Sequence, residues 1–309
     1  MFTDLVSNWR FPVVLWVIAG FGIMRWFAKK HVVTSDSATR SVRLLMQFGM
    51  SLLGATILLL LQQNKNAFEA FKTPSVIPLC GFGSAIACYF HWKAMGISLS
   101  KVSIFAIWDD IIAMTLSYIV LKEGRFLNSG IIGGVLLAII SVTLLGKYSQ
   151  QKTAEARATD NALYRYILTY SVLWGVARFS IRYFSAHDLP VSVFLVNWYF
   201  GATVAALCIV LQTYWSTTET RHMSVPTIMK RDVGIMCLYG LGIVTCMYIE
   251  FWAYKAPHVV VQPIFLVSEA LLSTAIGLWI FREKERLDRH ETAYMGIGLL
   301  STVLIALSF

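Results

Sequence analysis

The 309-residue chain is 57% hydrophobic and 14% charged, with a formal net charge of +9, against roughly 45–50% apolar and about 25% charged residues in a soluble domain. That excess of apolar residues excludes a water-soluble globular fold. The positive charge does not point to nucleic acid, because Lys and Arg are scattered among short connections instead of lying on one face; topology and lipid headgroups are their expected roles.

In chain order, apolar stretches fall at about 11–28, 44–62, 76–95, 101–121, 129–146, 163–184, 190–213, 233–254, 259–281 and 291–308. A bilayer core ~30 Å thick is crossed by about 20 apolar residues in a helix, and unbroken runs lack the alternation of a membrane barrel. Ten transmembrane helices are expected. The first run ends in Lys29, Lys30 and His31 without a small-residue cleavage site, so it reads as a retained helix and not a signal peptide. The longest polar connections, 29–43, 63–75, 147–162 and 214–232, are too short to fold as domains. More Lys and Arg fall after helices one, three, five, seven and nine than on the opposite side, a bias that puts both termini outside the cytoplasm.

The five cysteines, at 80, 88, 208, 237 and 246, lie inside apolar runs with no C-x-x-C and no His at ligand spacing, so neither a disulfide nor a metal is expected. No cofactor is expected either. There is no G-x-x-x-x-G-K-[ST] and no H-E-x-x-H, and His187-Asp188 is the only loop pair that could tempt a catalytic reading.

The chain reads as a duplication. Gly22, Arg25 and Lys29 repeat as Gly175, Arg178 and Arg182 at an offset of 153, while Asp109, Lys122-Glu123 and Trp92 repeat as Glu269, Arg282-Glu283 and Trp252 at an offset of 160. Five helices per copy is an odd number, so the second copy would lie upside down relative to the first. The expected fold is therefore all-α and integral to the membrane, with one five-helix repeat in 1–150 and an inverted one in 151–309.

Asp109, Asp110 and Glu269 lie mid-helix, where an ionised carboxylate costs about 2.5–3.5 kcal/mol. Such acids bind a cationic group or exchange a proton; the plainer role is a helix–helix ion pair. Arg178 and Arg25 can clasp a carboxylate or phosphate, although Arg25, near the expected helix end, can also snorkel to headgroups. Trp108 and Trp174 adjoin these groups and can stack on a substrate, and Gln47 and Asn197 can bind it or tie helices together. His91, Lys93, Glu250 and Lys255 are expected as interfacial anchors, Glu123 and Glu283 as interfacial ion pairs, and Gly81, Gly83, Gly130, Gly133 and Gly134 as sites of close helix approach.

With Trp174-Gly175 and Phe21-Gly22 opening the halves, and Asp109-Asp110 with Lys122-Glu123-Gly124-Arg125 matched by Glu269-Ala270 with Arg282-Glu283-Lys284, the chain resembles the ten-helix, EamA-type branch of the drug/metabolite transporter superfamily. It departs from that pattern in lacking Pro at 110 and 270. The resemblance implies a secondary transporter of small metabolites in the cell (inner) membrane, with cytoplasmic termini, opposite to the charge bias. Two acids with two arginines suit an amino acid or similar zwitterion, carried by exchange or proton coupling. A drug-like cation, a nucleotide sugar or another organic anion is the alternative substrate. An intramembrane enzyme on lipid-linked substrates and a non-transporting receptor are the competing classes. The expected partners are a small-molecule substrate, membrane lipids and a coupling proton, in a monomer or homodimer.

Overall fold

The computed structural model describes residues 10–62, 76–105, 107–123, 128–149, 153–218, 230–255 and 258–308. Among these the chain forms ten long helices and no strand: α1 (Arg10–Val32), α2 (Ser37–Leu61), α3 (Val76–Ile97), α4 (Leu99–Val120), α5 (Ser129–Ser149), α6 (Ala154–Ala186), α7 (Val191–Thr218), α8 (Lys230–Ala253), α9 (258–280) and α10 (Arg289–Leu307). Six of them, α1, α2, α4, α7, α8 and α9, contain stretches long and apolar enough to cross a bilayer. That is the build of a multi-pass membrane protein. Large apolar side chains such as Leu60, Leu79, Ile119, Leu168, Leu238 and Leu300 stand exposed on the outer faces, as lipid-facing positions do because a bilayer removes the penalty that water would impose.

Three helices outrun their apolar stretches. The first continues to Val32, the second begins at Ser37 and not near 44, and the sixth begins at Ala154 and not near 163. The polar turns are held by local hydrogen bonds. Asp36 caps α2 by accepting from the Thr39 amide at 2.7 Å, and Arg40 and Arg43 donate to the carbonyls of Thr34, Ser35, His31 and Val32. Residues expected as loop therefore extend the helices past the apolar core. Lys101 is likewise buried, bridging Asp160 and Glu291.

The main pairings join the first five helices to the last five. The fifth packs on α10, the second on α7 and α8, the third on α6 and α7, the fourth on α6, and the first on α8. Glycines set the tightest crossings. Gly81 of α3 lies on the Trp198 carbonyl of α7 and Gly201 of α7 on the Pro78 carbonyl of α3, so neither has room for a Cβ. Gly130 and Gly134 meet Ser308 and Ile305 of α10 in the same way, whereas Gly83 and Gly133 have ordinary clearance.

Candidate functional site: an ion cluster behind an aromatic cavity

The inner site starts from how α6 lies on α4. A Cβ at Gly175 would stand 2.8 Å from the Asp109 carbonyl oxygen, so glycine lets the two backbones approach. One turn later Arg178 meets both acids of α4: Nη1 donates to Asp110 and lies 3.6 Å from Asp109. Its Nη2 donates to Glu269 of α9 at 2.9 Å. The second oxygen of Glu269 accepts from Arg25 of α1, whose Nη1 donates to His91 Nε2. The Tyr170 hydroxyl donates to Asp109 at 3.4 Å, and Gln262 donates to Asp110 while accepting from Tyr254.

Four helices, α1, α4, α6 and α9, thus bring together three carboxyl groups and two guanidiniums, with His91 of α3 against Arg25. All four must hold their register for the charges to meet. Arg25 and Arg178 reach the same Glu269 because a helical side chain leans back toward its own N-terminus. Wide π turns flank Arg25 and begin at Glu269; such turns recur at functional sites.

A cavity of about 120 Å³ lies against this cluster, between α1, α2, α3, α6, α7 and α8. Arg25 and Arg178 are the charged side chains on its wall. The remainder is largely aromatic and soft: Trp16, Phe21, Trp92, Trp174, Trp198, Tyr199 and Tyr239 with Met24, Met95 and Met247, relieved by Gln47, Ser84, Cys88, His91 and Cys246. Along one side His91, Tyr170 and Trp174 form a stack, with centroids 4.5 Å and 6.4 Å apart and planes within 18°. The volume has room for about four waters at ~30 Å³ each, well below the ~300–1,000 Å³ of drug-sized sites.

Of the residues singled out in the sequence, Arg25, Arg178, Trp174 and Gln47 line the cavity. Asp109, Asp110 and Glu269 do not; they stand behind the arginines as their counter-charges. Trp108 packs into a small cluster with Ile107, Ala138, Leu266 and Ile305, and Asn197 donates to the Val193 carbonyl of its own helix at 3.0 Å, so neither faces the cavity. The alternative role of Arg25, snorkelling to the headgroups, does not match its place, because α1 runs on to Val32 and holds the guanidinium at Glu269.

His91 and Glu250 are buried and are not interfacial anchors. His187 is exposed, bonded to the Tyr183 carbonyl. Gln262 was missed in the sequence; its signal was a polar residue seven positions before Glu269, on the same face of α9.

Two further clusters sit at opposite ends of α9. Beyond its C-terminus, Glu283 accepts from Ser98 Oγ at 2.9 Å, from the Leu99 and Ser100 amides at 2.8 and 2.9 Å, and from Ser100 Oγ at 2.6 Å, while Lys29 lies 3.4 Å away and donates to the Met95 carbonyl. Before its N-terminus, Arg182 donates to the Tyr254 carbonyl at 2.7 Å and to Glu123 at 3.0 Å. The 23 helical positions from 258 to 280 separate the two by roughly 30 Å. The first locks α1 to the α3–α4 junction and the second locks α6 to the α8–α9 junction.

No family model matches the chain, and no curated protein does. Among solved structures, one described only as the crystal structure of a protein aligns over 98% of this chain and 96% of its own, with a TM-score of 0.59 and 14% sequence identity. At that identity the likeness is one of fold: a folded chain of nearly equal extent shares this arrangement of helices.

Proposed function

We propose that the chain is a secondary carrier for a small organic solute, working by alternating access between two inverted five-helix repeats in the cell membrane. The observation that carries this reading is the cavity between both sets of helices, charged by two arginines that acids balance from behind. A purely structural ion cluster has no need of a hollow beside it, whereas a solute with an anionic group finds there two guanidiniums already oriented by carboxylates.

The helix pairings support the repeat. Advancing each helix by five turns α1–α8 into α6–α3, α3–α7 into α8–α2 and α4–α6 into α9–α1, and maps α2–α7 and α5–α10 onto themselves. Side chains follow the same rule: Lys29–Glu283 corresponds to Arg182–Glu123, Arg25–Glu269 to Arg178–Asp109, and the left-handed residue Lys122 to Arg282. The two copies differ where a carrier must differ. The α6–α4 contact is tight at Gly175, while a Cβ at Gly22 would meet nothing within 4 Å. One conformation of an inverted-repeat carrier closes one such contact and loosens the other. Membership in the EamA-type branch of the drug/metabolite transporter superfamily belongs to this proposal and accords with these positions.

The wall chemistry favours a solute with a carboxylate or similar anionic group and an apolar or aromatic body; an amino acid such as phenylalanine matches that chemistry, and the cavity must widen beyond its present volume of about 120 Å³ to admit it. Drug-like cations are disfavoured, since every acid of the cluster stands behind an arginine. Counterflow in proteoliposomes against a panel of amino acids and small aromatic carboxylates, with L-phenylalanine first, tests the reading. Wild-type exchange is expected, and Trp174→Ala is expected to weaken the half-saturation concentration by roughly 3–10-fold, the worth of about 0.5–1.5 kcal/mol of ring contact, with folding unchanged. Exchange of no panel member by the wild type removes the proposal.

A further inference from the structure

Four acids are buried around the inner site, and three are tied to arginine. Asp110 and Glu269 accept hydrogen bonds from guanidinium groups, and Asp109 lies within ion-pair distance of one. The fourth, Glu250 of α8, is 1% exposed, and its Oε1 has no hydrogen-bond partner. Among the described residues no cation pairs with it. It sits one turn beyond Cys246 and Met247, which line the cavity, on the same face of the helix.

An ionised carboxylate without a donor is not sustained in a low-dielectric interior; it takes a proton instead. With no partner for Oε1 of Glu250, the buried acid gains no ion pair that would account for its presence.

We infer that Glu250 is the proton-carrying residue of the transport cycle: it holds a proton as a neutral carboxylic acid in the conformation described here, and yields it when the cavity opens to the other side. The inference rests on the carrier reading above. The chemistry is a simple transfer. The O–H bond of the carboxyl breaks, the proton passes to water entering the cavity, and the carboxylate left behind takes a proton from the opposite bulk phase before the site closes again. No other bond is made or broken.

The groups around Glu250 fit the role. Its electrostatic neighbours are Arg178 on α6, Glu269 on α9, Asp109 on α4 and Arg25 on α1, with Tyr199 on α7 and Cys246 and Tyr254 beside it. A solute anion lodged between the two arginines adds a negative charge to this set and holds the proton on Glu250. When the cavity opens, departure of the anion and entry of water together leave the arginine charge to favour the carboxylate. Solute and proton therefore load and leave together, which is symport.

Two measurements on the full-length chain in liposomes decide the matter. Infrared spectra at neutral pH are expected to show the C=O stretch of a protonated carboxyl that shifts in deuterated water, vanishes in Glu250→Gln and persists, displaced, in Glu250→Asp. With a pH dye trapped inside, L-phenylalanine added outside is expected to acidify the lumen of wild-type vesicles. Glu250→Gln should lose at least ten-fold of that signal while keeping phenylalanine counterflow within about two-fold. A carboxyl band unchanged in Glu250→Gln, or lumenal acidification unchanged while counterflow persists, overturns the assignment to Glu250. A wild-type protein that shows the band but exchanges no phenylalanine overturns the carrier reading for that solute and, with it, the symport assignment.

Discussion

Gly175 and Gly22 occupy equivalent places in the duplicated spacing yet do different work. Gly175 is pressed on α4, with Ile112 Cβ and the Asp109 carbonyl in the space a methyl group would need, whereas Gly22 has open surroundings. Gly175→Ala must therefore push α6 away from the acids that Arg178 holds, an overpacking cost of about 1–3 kcal/mol; Gly22→Ala removes a flexible residue from a helix and gains roughly 0.5–1 kcal/mol. Thermal melting of the detergent-purified variants should show a lower Tm for Gly175→Ala and an equal or higher one for Gly22→Ala. Equal effects would mean that the two crossings are alike.

At this scale the sequence was partly legible. Asp109, Asp110, Glu269 and Arg178 declared themselves as charges in apolar runs, because such groups are costly in lipid, and they do meet in space. Their direction was not legible. Which face of a helix turns to an arginine, to the cavity or to another helix depends on its neighbours, so Trp108 and Asn197 are indistinguishable from Trp174 and Gln47 in the sequence alone.

Elements are governed by their ends. Glu283 gathers two backbone amides and two serine hydroxyls at the N-terminus of α4, where the helix dipole also favours negative charge. Burial pushes the carboxyl up, but the hydrogen bonds from Ser100 and Leu99, with Lys29 nearby, outweigh it and hold Glu283 below the ordinary carboxylate range. A depressed value in the folded state means that the stabilising contribution is complete above the unfolded value of about 4.3 and is lost as pH falls through the folded one. The Tm difference between wild type and Glu283→Gln should therefore be largest near neutral pH and shrink below about pH 4.

In the proposed carrier, the same cluster and its counterpart at Arg182 would act as latches at the two ends of α9. Lys29→Ala should raise labelling of the cavity cysteines Cys88 and Cys246 by an impermeant maleimide applied from one side, and Arg182→Ala from the other, in a background without Cys80, Cys208 and Cys237. Labelling from one side in both variants would contradict a two-ended gate. Apolar runs located all ten helices, but the polar extensions of α1, α2 and α6 escaped the sequence, because caps such as Asp36 and arginine-to-carbonyl bonds sustain helix where hydropathy has already fallen.

For the whole molecule, the residues carry the repeated spacings on which the proposed duplication rests, but not the manner in which the helices assemble. Two repeats side by side would each bury their own helices; here α1 to α4 find their main partners among α6 to α8, and α5 pairs with α10. In the proposed carrier, interleaving of this kind would let small shifts of one half against the other open one end of the cavity while closing the other, since every helix on its wall has its main neighbour in the opposite half.

The proposal then makes a topological demand. If every helix crosses the bilayer, the connection after α1 follows one crossing and the connection after α6 follows six, so they must lie on opposite faces. Ser35 and His187 are exposed in those two connections, and Ser35→Cys and His187→Cys in a cysteine-free chain should react with an impermeant thiol reagent from opposite sides of intact cells or vesicles. The side on which Ser35→Cys reacts also fixes the orientation, on which the excess of Lys and Arg in the odd-numbered connections and the family resemblance give opposite answers: labelling from the cytoplasmic side follows the charge bias, and labelling from outside puts the termini in the cytoplasm. Reaction of both positions from one side would break the inverted repeat, and the two latches at the ends of α9 would then share a face and could not gate in alternation.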